Sequence, residues 1–517
     1  MRNFFFDYYT DDEVYARTLL ENPLFDGNTE QVEQLTRHFV TDMRQNKSII
    51  GSIDDLLQSY GLDTQEGLAL MALAEALLRI PDSETANQLI ESKLNEINLQ
   101  HLPADDNIFM KAMTWGMGIA QTIVKRHDSP TSFIQSAIRK LGVPCVRNAT
   151  YQMIKIMSGT FILGQTIESA LDNAESNSLY SFDMLGEGAR NMTAAREYYD
   201  LYKHAIEVAS KANTGKSVYQ CQSVSIKISA LHPKFFPKYH KHLFDEIYKI
   251  VFSLVELAHS KNVPVTIDAE EAERLEFTLS IFSKLAQDSA LKGWNGLGIV
   301  IQAYQKRAIS VIRHVIDLAK KNDRNIPVRL VKGAYWDSEV KRAQERGLKT
   351  FPVFTRKSLT DLNYLYCANE LFMHRQYVFP QTATHNALTI AQLIDMAGNG
   401  EGWELQRLHG MGEELYESVA RHCPHIVQRV YAPVGHYKDL LSYLVRRLLE
   451  NGANSSFVNA VSKKDIPVEA FLRSPKASLV NKESMRHPEV NYHKIFLHHG
   501  LIHMASSLAF PKILTSL

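Results

Sequence analysis

From about residue 178 onward, short β-rich runs alternate with helical segments. This alternation is typical of parallel βαβ units, because two parallel strands need a crossover connection that is usually a helix. The runs lie at residues 180–185, 223–228, 263–268, 298–302, 327–332, 377–382, 404–409 and 428–433. These eight runs match the strand count of a closed barrel of roughly 250 residues. The sequence therefore predicts an α/β fold with a (β/α)8 TIM-like barrel over residues 179–465.

The remainder of the chain divides into three further regions. Residues 1–60 carry scattered aromatic and charged residues between helical pieces, which indicates a helical arm on another surface and a candidate dimer contact. Residues 61–178 are rich in strong helix formers, as in the segment 64–79 before Pro81, and predict a helical domain. Residues 466–517 form a C-terminal tail.

Charge and cysteine content exclude several classes of protein. Lys plus Arg and Asp plus Glu both number 57, so the chain has no general affinity for nucleic acid or for an anionic membrane. Its four cysteines are far apart and form no CxxC pair, which argues against a zinc ribbon and a disulfide framework. The N-terminus lacks the pattern of a signal peptide, and no apolar run reaches the roughly 18 residues of a membrane span. We expect a cytoplasmic protein.

Polar residues recur at the ends of the β-rich runs. Strands of a parallel barrel are mostly apolar, and barrel enzymes build their sites at the carboxyl ends of these strands. The polar residues at or just past the run ends are Asp183, Lys227, Asp268, Gln302, Arg329, Lys332, His385, Gln406, His409 and Tyr431. This pattern predicts a functional site at that face, and its surplus of cations suits an anionic ligand.

Other ligand classes are less well supported. No GxGxxG turn follows a strand and no GxxxxGK[ST] occurs, so neither a dinucleotide fold nor a phosphate loop is indicated. The strand-end histidines His385 and His409 are single and lie in no HExxH motif. We therefore predict no metal site, and a metal-dependent barrel hydrolase ranks last among the alternatives.

A helix predicted near residue 443 has two faces of opposite character. Tyr443, Arg446, Arg447 and Glu450 fall at i, i+3, i+4 and i+7, while aliphatic residues fill the other side. The helix either packs outside the barrel with a solvated polar stripe, or lies across the barrel mouth with its arginines facing the strand ends. In the second position, two guanidiniums would require an anion such as a small carboxylate. Periodicity alone does not decide between these positions.

The strand-end segments resemble a known family when they are taken together. The matching segments are 181–187, 225–233, 267–276, 300–306, 329–339, 383–386, 408–412, 431–435 and 443–454. In this order, they resemble the proline dehydrogenases, and most closely the proline dehydrogenase part of the bacterial bifunctional proline utilization A (PutA) proteins. The helical region from about residue 50 to 175 also resembles the arm and helical domain of those proteins.

The resemblance implies a flavoenzyme. The expected reaction is FAD-dependent oxidation of L-proline to Δ1-pyrroline-5-carboxylate by hydride transfer, with a membrane quinone as the next electron acceptor. It is the first step of proline degradation to glutamate. A peripheral contact with the inner face of the membrane follows from the quinone. The chain is expected to lack the DNA-binding and aldehyde dehydrogenase domains, to bind no nucleic acid, and to end in a truncated linker.

The resemblance also implies roles for individual residues, with the helix 443–454 over the strand ends. Catalytic residues are Lys227, Asp268, Arg329, Tyr335 and Tyr431. Substrate-binding residues are Glu187, Lys227, Tyr431, Tyr443, Arg446 and Arg447, with both arginines and Lys227 on the proline carboxylate. Cofactor-binding residues are Gln302, Arg329, Lys332, Gly333, Ala334, Trp336, Thr355, Arg356, Lys357, Thr384, His385, Asn386, Gln406, Glu450, Ser456 and Phe457. The alternative function is an inactive remnant that acts as a dimerising or regulatory partner.

Overall fold

The computed structural model describes residues 8, 10–25, 27–45, 161–176, 178–398, 401–436, 457–462, 465–480, 482–488 and 490, and five positions between 80 and 88. Most of the predicted helical domain lies outside these residues. The predicted site residues Tyr443, Arg446, Arg447, Glu450 and Ser456 also lie outside them. The division of the chain at residues 60, 178 and 465 stays a prediction.

Eight parallel strands form a closed barrel in which each strand pairs with the next and the last pairs with the first. The strands are β1 (Leu179–Met184), β2 (Ser223–Ile226), β3 (Val265–Ile267), β4 (Leu297–Gln302), β5 (Ile326–Val331), β6 (Val378–Ala383), β7 (Glu404–Leu408) and β8 (Val427–Val434). All eight predicted runs are strands, so the predicted (β/α)8 fold is confirmed. The bounds of each strand differ from the predicted ones by at most two residues.

Helices connect the strands around the outside of the barrel. They are Met192–Lys211, Ile228–Leu231, His240–Ser260, Leu275–Gln287, Ala308–Lys321, Trp336–Glu345, Lys357–Met373, Ala387–Ala397 and Glu413–His422. Short 3-10 turns occur at Val218–Gln220, Pro237–Tyr239, Ala272–Arg274 and Ser289–Leu291. The helix Ala308–Lys321 is an example of the amphipathic pattern in these helices. Its alanine, valine, isoleucine and leucine side chains are buried, and two lysines lie in its last turn.

The apolar core lies between the strands and these helices. Strand residues that face outward, such as Val224, Ile299, Val328 and Leu405, are fully buried and aliphatic. The alternate residues face inward, and many of them are polar, unlike the branched aliphatic residues that usually fill a barrel. They include Ser181, Ser225, Thr266, Arg329, Gln381, Glu404, Gln406 and Arg429. The polar interior therefore extends the strand-end site into the barrel.

The described N-terminal and C-terminal segments pack on the barrel of the same chain. Helices Asp12–Leu20, Glu30–Gln45 and Ile167–Asp172 come before β1, with a 3-10 turn at Pro23–Phe25. Helix Phe457–Ser462 and 3-10 turns Val468–Leu472 and Lys476–Ser478 come after β8. Asp42 accepts hydrogen bonds from Ser418 at 2.6 Å and Arg421 at 2.9 Å. The described part of the arm thus packs on the barrel of the same chain, and its role in a dimer stays a prediction.

None of the helices that the structure describes is long and apolar enough to cross a membrane.

Candidate active site

A buried cluster of charges lies at the carboxyl ends of β1, β2, β3, β5 and β8. Its members are Asp183, Lys227, Asp268, Arg329 and Tyr431, and we refer to them as the charge cluster. Lys227 Nζ donates to Asp183 Oδ1 and lies 3.2 Å from Asp268 Oδ2. Tyr431 donates its hydroxyl hydrogen to Asp268 Oδ2 at 2.8 Å. Two cations and two carboxylates therefore balance within the cluster.

Arg329 connects this cluster to the barrel interior. Its Nη1 donates to Asp268 Oδ1 and to Ser225 Oγ, both at 3.0 Å, and its Nη2 donates to Ser181 Oγ at 2.8 Å. The guanidinium also lies 5.0 Å from the centre of the Tyr431 ring. These contacts fix the plane of the guanidinium, because its donors form a rigid fork.

The barrel register explains why these distant residues meet. Ser181 pairs with Ser223 on β2 and with Tyr431 on β8, so the next inward residue, Asp183, lies level with Ser225. Asp268 follows β3, and its backbone N–H donates to Ile226 O at 2.9 Å, which places it beside Lys227. Side chains with the same inward direction thus converge at one end of the barrel.

Burial and charge together set the ionisation of the charge cluster. Burial would lower the pKa of Lys227, but the carboxylates of Asp183 and Asp268 outweigh it and raise this pKa well above its ordinary value. Burial raises the pKa of Tyr431 well above its ordinary value, and the two nearby carboxylates add to the effect. Lys227 is therefore an ammonium and Tyr431 a neutral phenol throughout the physiological range.

Gln302 extends the site along the end of β4. Its Nε2 donates to Glu270 O at 3.2 Å, and its Oε1 accepts from Gln305 Nε2 at 3.3 Å. Both glutamines are almost completely buried. The amide of Gln302 is therefore held in one orientation at the strand end.

The loop after β5 contains a close approach that requires glycine. Gly333 has φ +138°, and a Cβ at this position would meet the Tyr304 ring at 2.5 Å. Tyr335 and Trp336 follow, and Trp336 Nε1 donates to Phe354 O at 2.8 Å. Ala334 lies between Gly333 and Tyr335, and Tyr335 is the residue before the helix Trp336–Glu345. The Tyr304 ring thus packs directly against the Gly333 backbone.

Lys332 and Lys357 converge on one carboxylate next to this loop. Lys332 Nζ lies 2.5 Å from Asp361 Oδ1, and Lys357 Nζ lies 3.1 Å from Asp361 Oδ2. Burial alone would raise the pKa of Asp361, but the two lysines outweigh it and lower the pKa. This pair supplies positive charge at the edge of the site.

The remaining predicted residues near this edge contact the chain termini. Thr355 Oγ1 donates to Asp12 Oδ2 at 3.1 Å, and Arg356 Nε donates to Ser484 O at 3.0 Å. Both residues therefore have a structural role in holding the terminal segments, in addition to any contact with a ligand.

The residues after β6 and β7 form the other side of the site. His385 Nε2 accepts from the Leu408 N–H at 3.1 Å, so a neutral His385 carries its proton on Nδ1. Thr384 Oγ1 accepts from the Asn386 N–H, and Asn386 Oδ1 caps the next helix through Thr389 N at 2.9 Å. Gln406 lies beside them on β7 and is 1% exposed.

Two further predicted residues do not lie in strands. Glu187 lies in the loop after β1, where the Gly188 N–H donates to Ser229 Oγ at 2.9 Å. Phe457 packs edge-on against Phe471, with ring centres 5.4 Å apart, beside the N-terminal arm. Its predicted contact with a cofactor stays a prediction.

Sequence reasoning left four residues out of its set of site residues. Asp183 appears among the polar run ends but received no role, although it bonds directly to Lys227. Ser181 and Ser225 bind Arg329, and Glu404 binds Gln406 at 2.7 Å. Their inward position two residues before a predicted strand-end residue is a signal that was present in the sequence.

Among the described residues, no group of three or more His, Cys, Asp or Glu side chains is arranged to hold a metal ion. The charge cluster itself contains two carboxylates, but both are neutralised by Lys227 and Arg329.

Comparison with known proteins identifies the family of this chain. The family model for proline dehydrogenase matches residues 166–460, which is more than half of the chain and contains the whole barrel. The chain belongs to the proline dehydrogenase family. The resemblance that the strand-end segments indicated is therefore confirmed.

Individual proline dehydrogenase relatives agree with this assignment. The chain is 42% identical to the bifunctional protein PutA of Klebsiella aerogenes over 472 residues, which cover 87% of this chain and 36% of the relative. It is 29% identical to proline dehydrogenase 1 of Bacillus subtilis over 58% of this chain and 88% of the relative. A crystal structure of a Bradyrhizobium japonicum proline utilization A mutant superposes with a TM-score of 0.75 at 44% identity, covering 95% of this chain and 50% of that one. The chain thus spans little more than a third of the length of the curated PutA relative.

A second family match corrects one expectation. The model described as the DNA-binding domain of proline dehydrogenase matches residues 52–161. The expectation that the chain lacks a DNA-binding domain is therefore wrong, because this match covers most of the region that we assigned to a helical domain alone. The matched region lies almost entirely outside the residues that the structure describes.

Proposed function

We propose that this chain is an FAD-dependent enzyme that oxidises L-proline to Δ1-pyrroline-5-carboxylate, as the first step of proline degradation to glutamate. The observation that carries the proposal is the charge cluster, which lies at the strand ends of a proline dehydrogenase family barrel. Barrel enzymes place their catalytic residues at this face. The cluster supplies an ammonium, a fixed guanidinium and a phenol within a few ångströms of one another.

The described residues fit a bound flavin. Arg329 Nε and Gln406 Oε1 are buried polar atoms without a hydrogen-bond partner, although such atoms are normally paired. They offer a donor and an acceptor to a polar heterocycle. Lys332 and Lys357 add positive charge suited to phosphates. Bound FAD would supply the hydride acceptor.

Lys227 has the geometry to bind a substrate carboxylate. An ammonium has three donors, and those of Lys227 face Asp183, Asp268 and the Tyr431 hydroxyl. The contact with Tyr431 is the longest, at 3.4 Å, and Tyr431 already donates to Asp268. A carboxylate is therefore expected to take this third donor. From the family resemblance, we propose that Arg446 and Arg447 complete the clamp.

The other residues of the site orient the substrate and limit access of water. Tyr431 is held by Asp268 and Arg329, so its ring presents a fixed apolar edge to a pyrrolidine ring. Tyr335 and Tyr443 are proposed to add further ring contacts, and Glu187 is proposed to pair with Arg446 over the bound substrate. Orientation of this kind contributes much of the rate in a hydride transfer.

We further propose that the electrons pass to a membrane quinone and that the protein contacts the membrane peripherally from the cytoplasmic side. The support is the family assignment. A homodimer through the arm is proposed on the same basis.

The test is turnover of purified, FAD-loaded protein with L-proline and a soluble quinone. Wild-type protein should form Δ1-pyrroline-5-carboxylate and reduce the quinone in equal amounts. Lys227→Met should raise the proline KM strongly, whereas Lys284→Met, a change at an exposed ion pair, should leave it unaltered. Absence of product with intact FAD binding would contradict the proposal and favour the inactive-partner alternative.

A further inference from the structure

Glu404 is a fully buried carboxylate at the start of β7, and the proposed function leaves it without a role. Its Oε1 accepts three hydrogen bonds, from Gln381 Nε2 at 2.8 Å, Gln406 Nε2 at 2.7 Å and Arg429 Nε at 2.8 Å. Arg429 is itself fixed, because its terminal nitrogens donate to Cys221 O and Tyr219 O. Glu404 is thus a rigid acceptor inside the barrel.

This contact determines which way the Gln406 amide points. An ionised carboxylate only accepts hydrogen bonds, so a glutamine that bonds to it must present its NH2 group. The carbonyl oxygen of Gln406 must then point away from Glu404. Gln406 Oε1 is buried and has no hydrogen-bond partner, so it is available to a donor.

The strand register places this oxygen on the functional side of Glu404. Gln381 is level with Glu404, whereas Gln406 is level with Ala383, one inward position closer to the carboxyl end. Thr384 and His385 follow Ala383 directly, and both belong to the proposed cofactor site. The two glutamines that Glu404 holds therefore differ in position, and Gln406 is the one next to the site.

We propose that Glu404 is a positioning residue that holds the Gln406 amide so that its Oε1 accepts a hydrogen bond from the flavin N3–H. This inference rests on the proposed function, since it needs FAD as the cofactor. The isoalloxazine ring carries N3–H as the donor of its pyrimidine part, flanked by carbonyl acceptors. Gln406 Oε1 is held in one orientation and excluded from water, so a hydrogen bond from such a donor would stabilise the bound flavin.

The experiment compares the affinity of the apoprotein for FAD and for N3-methyl-FAD, which lacks the N3–H donor. Wild-type apoprotein should bind FAD about tenfold or more tightly than the methylated analogue, as expected for one buried hydrogen bond. Glu404→Gln should reduce this ratio severalfold, because a neutral amide can donate to Gln406 Oε1 and turn the amide. Gln406→Met removes the acceptor, so the variant should bind FAD and N3-methyl-FAD with nearly equal affinity. Gln381→Met is the matched control and should keep the wild-type ratio.

Failure of the proposed function and failure of the Glu404 inference give different results in this experiment. A wild-type protein that binds no FAD overturns both the proposed function and this inference. A wild-type protein that binds both flavins equally, or a Glu404→Gln protein that keeps the full ratio, overturns the inference alone. A ratio that survives in Gln406→Met is due to steric exclusion of the methyl group and also overturns it. Circular dichroism of each apoprotein shows whether the variant is folded, and Gln406→Met tests the inference if Glu404→Gln does not fold.

Discussion

Replacing Asp268 with Asn removes one of the two negative charges in the charge cluster and leaves both cations in place. Asp268 contacts Lys227 Nζ at 3.2 Å, Arg329 Nη1 at 3.0 Å and the Tyr431 hydroxyl at 2.8 Å. Asparagine has the same shape, and its one carbonyl oxygen keeps a single acceptor where the carboxylate had two. The change therefore isolates the charge and the lost acceptor from any effect of volume.

The expected cost follows from the burial of these groups. Removing one partner of a buried ion pair costs about 3–5 kcal/mol, because the other charge is left uncompensated. In a structure the size of this barrel, each kcal/mol lowers the thermal midpoint by roughly 2–4 °C. The Asp268→Asn midpoint should therefore fall by roughly 6–20 °C. Proline turnover should fall as well, since Arg329 and Tyr431 both lose a fixed partner.

The assay is thermal unfolding of the variant and of Asp245→Asn, measured by circular dichroism in the same buffer. Asp245 forms an ion pair with Lys284 at 3.0 Å, but their side chains are 78% and 43% exposed. Such a surface pair contributes about 0–1 kcal/mol, so its midpoint should barely change. If Asp268→Asn shifted the midpoint no more than Asp245→Asn, the cluster would not depend on balanced charge, and the reasoning would be refuted.

Three further predictions use other parts of the chain. Arg446→Met or Arg447→Met should raise the proline KM tenfold or more, because each removes a charge-assisted hydrogen bond of roughly 1.5–3 kcal/mol. Unchanged steady-state kinetics would show that these arginines do not bind the substrate and that the helix 443–454 packs outside the barrel. Burial, with help from a neighbouring arginine, lowers the pKa of His409, so the folded state disfavours its protonation. The contribution of His409 to the free energy of unfolding is therefore fully present above the ordinary pKa of about 6.5 and is lost as the pH falls below it. His409→Asn should make the thermal midpoint less dependent on pH below about 6.5, and an unchanged pH dependence would contradict this prediction. Lys306→Met should destabilise by about 3–5 kcal/mol, because it leaves the carboxylate of Asp12 buried without the ammonium at 2.8 Å; urea unfolding measures this, and a loss below 1 kcal/mol would show that the pair is dispensable.

The fold could be predicted from sequence because its signals are local. Each β-rich run needed only its own residues to be recognised, and eight alternating units leave few arrangements other than a closed barrel. The bounds were less certain, as β3 shows. It has three residues, Val265–Ile267, although the backbone N–H of Asp268 still donates to Ile226 O on β2.

The site could be predicted only in part, because the remainder depends on register. Lys227, Asp268, Arg329 and Tyr431 were recognisable as polar residues at strand ends. Ser181, Ser225 and Glu404 lie deeper, and their contacts exist only when the barrel closes with one particular stagger between strands. Serine residues such as Ser181 and Ser225 also occur commonly in strands without a functional role, so their identity alone does not mark them as site residues. A prediction of the inward face from the alternation in each strand would have included them.

The central claim is that this barrel binds a flavin which L-proline reduces. The most direct measurement is the anaerobic visible spectrum of the FAD-loaded protein before and after L-proline is added. We expect a yellow protein whose flavin absorption bleaches on addition of L-proline and is unaffected by D-proline. A protein that stays colourless after refolding with FAD, or a bound flavin whose spectrum L-proline leaves unchanged, would contradict the account.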